Sequence, residues 1–179
     1  VAIEIANKFQ FLNERKQQAF LLNYIPETHF SKFKKNIKGL IITHAHLDHI
    51  WALKHILPAL DFPTLYGTKL TIWIIKKWLE ENKLLPYSKF VEVDTDKNEK
   101  IKIGNNFDVE FFRVNHSVPD CAGLYITTPN GFKAVHTWDF KIDFAPEIDK
   151  PADLARVWEY GRKWITLFLS DLPRDTIAR

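Results

Sequence analysis

Apolar positions along this chain change period several times, and each change marks an element. Val1 to Ala6 is short and apolar enough for a strand. Gly39 to Thr43 is an unbroken apolar run bounded by glycine and polar residues, the pattern of a buried strand. Helical spacing follows from Ile50 to Leu60, with Pro58 fraying the end. Thr64 to Tyr66 predicts a short strand, and Thr68 is placed to cap a second helix running to about Asn82. The middle of the chain then turns to strands. Lys100 to Ile103 and Phe107 to Val114 flank the turn residues Gly104-Asn105-Asn106. Leu124 to Thr127 and Phe132 to Thr137 flank Pro129-Asn130-Gly131 in the same way. A helix over Ala152 to Lys163 and a strand over Ile165 to Leu169, ending at Ser170-Asp171, close the series. Helices mixed with paired and single strands indicate an α/β sandwich, and the lack of regular alternation argues against a doubly wound sheet.

Composition narrows the class. With 179 residues, 46% of them hydrophobic, the chain can build one domain with a substantial core. No run of about 18 apolar residues suggests a membrane span, and the opening segment becomes polar too soon for a signal peptide. The single Cys121 excludes an intramolecular disulfide and fits a reducing cytoplasm. A net charge of +3 permits a polyanionic partner without requiring one. Lysines cluster at Lys32, Lys34, Lys35 and Lys38, and again at Lys97, Lys100 and Lys102, where solvated faces explain them at least as readily as nucleic acid does.

The chemistry concentrates in His44-Ala45-His46-Leu47-Asp48-His49. Three histidines and an aspartate follow a buried strand directly, so His44 and His46 can point one way while Asp48 and His49 aim at a neighbouring position. Imidazole and carboxylate are zinc-type ligands. His116 and Asp139 each fall at the end of a predicted strand, the same kind of place, whereas His29 and His55 stand apart and read as ordinary histidines.

The segment His44 to His49 resembles the HxHxDH signature of the metallo-β-lactamase superfamily. Gly39 to His44, Tyr66 to Leu70, Asn115 to Asp120, His136 to Lys141 and Leu169 to Asp171 are similar to the ribonuclease J-like, beta-CASP branch of that superfamily. The resemblance implies an αββα sandwich, incomplete over residues 1–179, that forms the catalytic core of a longer enzyme whose beta-CASP and C-terminal domains lie outside this chain. It implies that His44, His46 and His116 hold one zinc, that Asp48 and His49 hold a second, and that Asp139 bridges them, with manganese as an alternative metal. Asp48 and His49 are then the catalytic pair, Asp48 also orienting the attacking hydroxide. His136 is expected in a supporting role, and Ser117 and Ser170 as donors to phosphate or in strand-end hydrogen bonds. The implied function is cytoplasmic hydrolysis of RNA, endonucleolytic and 5′-to-3′ exonucleolytic, by a protein that forms a homo-oligomer through regions outside this chain. Rival readings are another hydrolase of the same fold (a thioesterase, lactonase or tRNA 3′-end nuclease) and a non-catalytic remnant that binds metal or RNA.

Two departures from the family pattern matter. The family's further histidine ligand to the second zinc has no counterpart after His136. Tryptophan also stands where the family carries glycine, at Trp51, Trp138 and Trp164, in a chain with six glycines and six tryptophans. A source whose UGA codon specifies glycine accounts for this pattern; UGG at codons 51, 138 and 164 would refute it.

Overall fold

A computed structural model describes residues 34–171 apart from 98, 105 and 106. The strand expected over residues 1–6, and with it His29 and Lys32, lies outside the described residues. Strands β1 (Gly39–Ile41), β2 (Thr64–Thr68) and β3 (Phe90–Val93) form a parallel sheet in that order. Strands β4 (Lys100–Ile103), β5 (Phe107–Val114), β6 (Cys121–Thr127), β7 (Lys133–Asp139) and β8 (Leu167–Asp171) form a second sheet, antiparallel until β8 joins β7 in parallel. Helices α1 (Leu47–Ile50), α2 (Leu53–Ala59) and α3 (Lys69–Glu81) belong to the first sheet's connections, and α4 (Leu154–Gly161) crosses between β7 and β8.

Side-chain alternation stacks these parts in four layers. Tyr66, Val93, Val109, Phe111, Ala122 and Leu124 are buried together between the two sheets. Their neighbours along the strands point the other way. Leu65 packs with Leu53, Leu57, Ile72, Ile75 and Leu79 of the helices on one side. Phe112, Val114, Cys121, Tyr125 and Val135 pack with Tyr160 of α4 on the other. Helix, sheet, sheet, helix is the sandwich that the sequence predicts.

Several boundaries differ for physical reasons. The helix expected over residues 50–60 is two helices, with Trp51 and Ala52 between them and Pro58 inside the second. Strand β3 is absent from the elements expected above, although Phe90, Val91 and Val93 around the charged Glu92 carry its alternation. β6 begins three residues earlier than Leu124, and α4 is shorter at both ends than the span from Ala152 to Lys163. Trp51 has φ −63°, which any residue takes. Trp138 and Trp164 have φ +58° and +55°, the left-handed region that favours glycine.

Thr68 precedes α3 but does not cap it through its side chain. Its hydroxyl donates to the Asp120 carbonyl at 2.7 Å, and the Leu70 amide donates to the Asp120 carboxylate at 2.9 Å. The cap therefore comes from fifty residues along the chain and ties the two sheets together, as does the Ala122 amide donating to the Thr43 carbonyl at 3.0 Å. Asp120→Ala removes the cap and leaves an alanine at φ +60°. The expected loss is about 2 kcal/mol, a fall in Tm of roughly 4–8 °C. Thermal denaturation checks it; a change within a degree would show that the cap contributes nothing.

Candidate metal centre

The ligand-type residues singled out from the sequence sit at strand ends and in the short helix that follows the first of them. His44 and His46 follow β1, Asp48 and His49 lie in α1, His116 follows β5, and Asp139 ends β7. Chain segments seventy residues and more apart are thereby brought together.

The rings converge on a common point. His46 Nδ1 lies 3.1 Å from His44 Nε2 and 3.0 Å from His116 Nε2. Asp139 Oδ2 lies 3.9 Å from His44 Nε2 and 3.8 Å from His116 Nε2. Ligand atoms of these four residues all fall within 4.8 Å of one another. Tetrahedral zinc with ligands near 2 Å sets its donor atoms about 3.3 Å apart, close to this spacing. One His46 nitrogen faces two other ring nitrogens, so no hydrogen-bonding scheme orients three neutral rings as well as a shared cation does. The donor set of three imidazoles and a carboxylate therefore fits a zinc-type ion.

The same Asp139 oxygen also lies 3.4 Å from His49 Nε2, which is 3.7 Å from Asp48 Oδ2. Asp48 and His49 thus lie beside the four converging residues, in contact with them through His49 and Asp139. His136 is not part of either group: its Nδ1 accepts from the Trp138 amide at 3.0 Å, and its ring stacks on the Trp138 indole. His55 lies against Trp51 and takes no part in the centre.

Residues outside the signature hold the ligands in place. Thr43 Oγ1 is 3.3 Å from His44 Nδ1, and Ser117 Oγ is 3.1 Å from His46 Nε2, so each ring's outer nitrogen has a partner. Asn115 accepts from the Ala152 amide at 2.8 Å, donates to the Lys150 carbonyl at 2.9 Å, and through its own carbonyl accepts from Lys141 at 2.7 Å. That pins the segment carrying His116. Its role is not legible in the sequence, because its partners lie far along the chain. Beside His116 opens a cleft of roughly 420 Å³ lined by Asn115, Ser117, Lys141, Asp143 and Asp149.

Burial sets the electrostatics. His44 is only 1% exposed. Burial first, and then the neighbouring His49, His116 and His46, push its pKa down to about 3 against the pull of Asp139. Burial and His46 also lower His116. A hydrogen bond from His49 holds the Asp139 carboxyl below the usual carboxylate range, against its own burial. His44 is thus neutral, and burial favours the neutral form of His116, beside a carboxyl held in its ionised form. In chelator-stripped protein the folded His44 pKa lies below its unfolded value of 6.5. Between those values only the unfolded chain binds the proton, so stability present above pH 6.5 drains away as pH falls. From pH 7 to pH 5 the loss through His44 is about 2 kcal/mol, with His116 adding in the same direction. Melting curves of the stripped protein check this; a flat Tm over that range would contradict it.

The lysine clusters are largely engaged elsewhere. Lys102 pairs with Asp108 at 3.0 Å, Lys100 lies within 4.0 Å of Asp108 and Glu110, and Lys38 donates to the Lys35 carbonyl. No helix among the described residues is long and apolar enough to cross a membrane.

Similarity to known proteins covers most of the chain. The model of the Beta-lactamase superfamily domain matches residues 15–159. Ribonuclease J of Helicobacter pylori is 39% identical over 148 residues, which are 82% of this chain and 21% of that protein. Ribonuclease J of a Synechocystis species is 37% identical over 144 residues, 80% of this chain and 22% of that protein. Among solved structures, the short form of human tRNase Z superposes with a TM-score of 0.47 at 18% identity, over 69% of this chain and 54% of that chain. The chain spans about a fifth of the length of the curated relatives it matches. Since the superfamily's domain model covers most of its residues, the chain belongs to the beta-lactamase superfamily.

Proposed function

We propose that this chain is the catalytic core of a zinc-dependent ribonuclease that hydrolyses RNA phosphodiester bonds, as endonuclease and 5′-to-3′ exonuclease. The observation that carries the reading is the Asp139 carboxylate, whose Oδ2 lies within 4 Å of His44, His116 and His49, with Asp48 next to His49. A carboxylate so placed supports a reading with two cations a few ångströms apart, and the chain's relatives at 37–39% identity are ribonucleases J. Two divalent ions there supply Lewis acidity, which makes water nucleophilic near neutral pH and offsets charge developing on a phosphate. The chain's own residues do the rest. His44, His46 and His116 would hold the first ion, Asp48 and His49 would hold the second with Asp139 shared between them, and Asp48 would orient the attacking water. Ser117 lines the cleft beside His116, together with Lys141, which pairs with Asp143 at 2.9 Å.

A binding module without turnover is the second reading, and one observation favours it: the Trp138 indole packs edge-on against His49, with ring centroids 5.7 Å apart. Zinc-loaded protein tested on 5′-labelled single-stranded RNA, a thioester and a lactone discriminates among these. Chelator-sensitive cleavage of RNA alone supports the ribonuclease. Turnover of the other esters instead would make it a different hydrolase of the same fold, and bound zinc without turnover would make it a binding module.

A further inference from the structure

The β7–β8 ladder loses register just before Asp139. His136 pairs with Leu169 and Asp139 pairs with Asp171, so two residues of β7 stand against one of β8. This is a β-bulge, which bends the strand and re-aims the side chains beyond it. Val135 packs on the α4 side of the sheet. Strict alternation would put Asp139 on that side too. The extra residue shifts the alternation by one. Phe140 then packs against the α4 cluster, and Asp139 turns to His44, His49 and His116.

The residue that makes this turn is Trp138, at φ +58°. Left-handed backbone at a bulge is glycine's position, and a bulky residue there is strained. The indole gains little in return, since its Nε1 is buried with no hydrogen-bond partner. It also fills the space between His136 and His49, at ring separations of 4.4 and 5.7 Å.

We propose that residue 138 is a positioning residue for the metal centre: its left-handed conformation aims Asp139, glycine is the side chain that the bulge accepts, and tryptophan weakens the second ion's site. The proposal rests on the two-ion reading above. Trp164 offers the same comparison away from the site, at φ +55° and 89% exposed.

The test compares Trp138→Gly with Trp138→Ala and Trp138→Asn. All three lose the indole, so differences among them report on backbone conformation. In an ordinary strand or helix, alanine is the more stable of the first two. Here the metal-free glycine variant is expected to melt several degrees above the alanine variant, with asparagine between. Trp73, exposed on α3, is the control, and there alanine should melt above glycine. Zinc titration against a competing chelator reads the aim of Asp139. Trp138→Gly should hold the second ion about tenfold more tightly than Trp138→Ala or the parent chain. Alanine melting as high as glycine, or a second ion held equally by all variants, overturns the proposal. Zinc held by no variant and not by the parent sinks the metal reading, and this proposal with it.

Discussion

Asp139→Ala is expected to leave the protein without either metal ion and to lower RNA hydrolysis by at least about a thousandfold. Its carboxylate lies within 4 Å of His44, His49 and His116 together. Removing it deletes a ligand from both positions and the negative charge that offsets two cations. The first position would keep three imidazoles, enough for weak binding at high zinc. The second would keep only Asp48 and His49. His46→Ala is the companion case. It removes the ring whose Nδ1 stands 3.0–3.1 Å from both other imidazoles, so the first position should fail while Asp48, His49 and Asp139 remain. Neither side chain belongs to the three apolar clusters, so both variants should still melt cooperatively. Elemental analysis after dialysis, with thermal melting in chelator, checks both statements. If metal and cooperative melting disappear together, the ion is structural and the hydrolytic reading loses its support.

The legible part of the sequence is local. Six positions, His44 to His49, hold four ligand-type side chains after an apolar strand, and the ends of predicted strands pick out His116 and Asp139 without any knowledge of their separation. The strands of the second sheet are legible in part for the same reason, since the turn residues Gly104-Asn105-Asn106 and Pro129-Asn130-Gly131 mark off β4 from β5 and β6 from β7. The features that escape pattern reading depend on distant partners. The cap of α3 belongs to Asp120 rather than Thr68, because a carboxylate fifty residues away reaches the first-turn amide before the local hydroxyl does. Asn115 supports His116 through the backbone at Lys150 and Ala152. The bulge at Thr137 and Trp138 is invisible in the sequence, because it is defined by what β8 does opposite. Tryptophan at 51, 138 and 164 is a single anomaly in the sequence, and the backbone divides it. Position 51 is helical, whereas 138 and 164 take glycine's conformation.

Asp48→Ala separates the two ions where Asp139→Ala removes both. Asp48 lies in the first turn of α1, on the His49 side of the shared carboxylate, and is not among the four residues that converge on the first position. Among the described residues, the second position draws only Asp48, His49 and Asp139, one donor fewer than the first. With fewer protein ligands it should already be the weaker site, filled last in a zinc titration and emptied first by a chelator. Taking away Asp48 leaves one imidazole and a carboxylate engaged elsewhere, which cannot retain an ion through dialysis. Metal content is therefore expected to fall from as many as two equivalents to about one. Cleavage should fall by roughly a hundredfold to a thousandfold, since half the compensation for phosphate charge is gone along with the group that orients water. The decisive measurement is cobalt substitution. The absorption of a cobalt ion held by His44, His46 and His116 should survive in Asp48→Ala and vanish in His46→Ala. If Asp48→Ala loses that band too, the two positions are not separate and this division of the ligands is wrong. If its metal content and single-turnover rate match those of the parent chain, the centre works with one ion, and Asp48 is a surface carboxylate with no part in the chemistry.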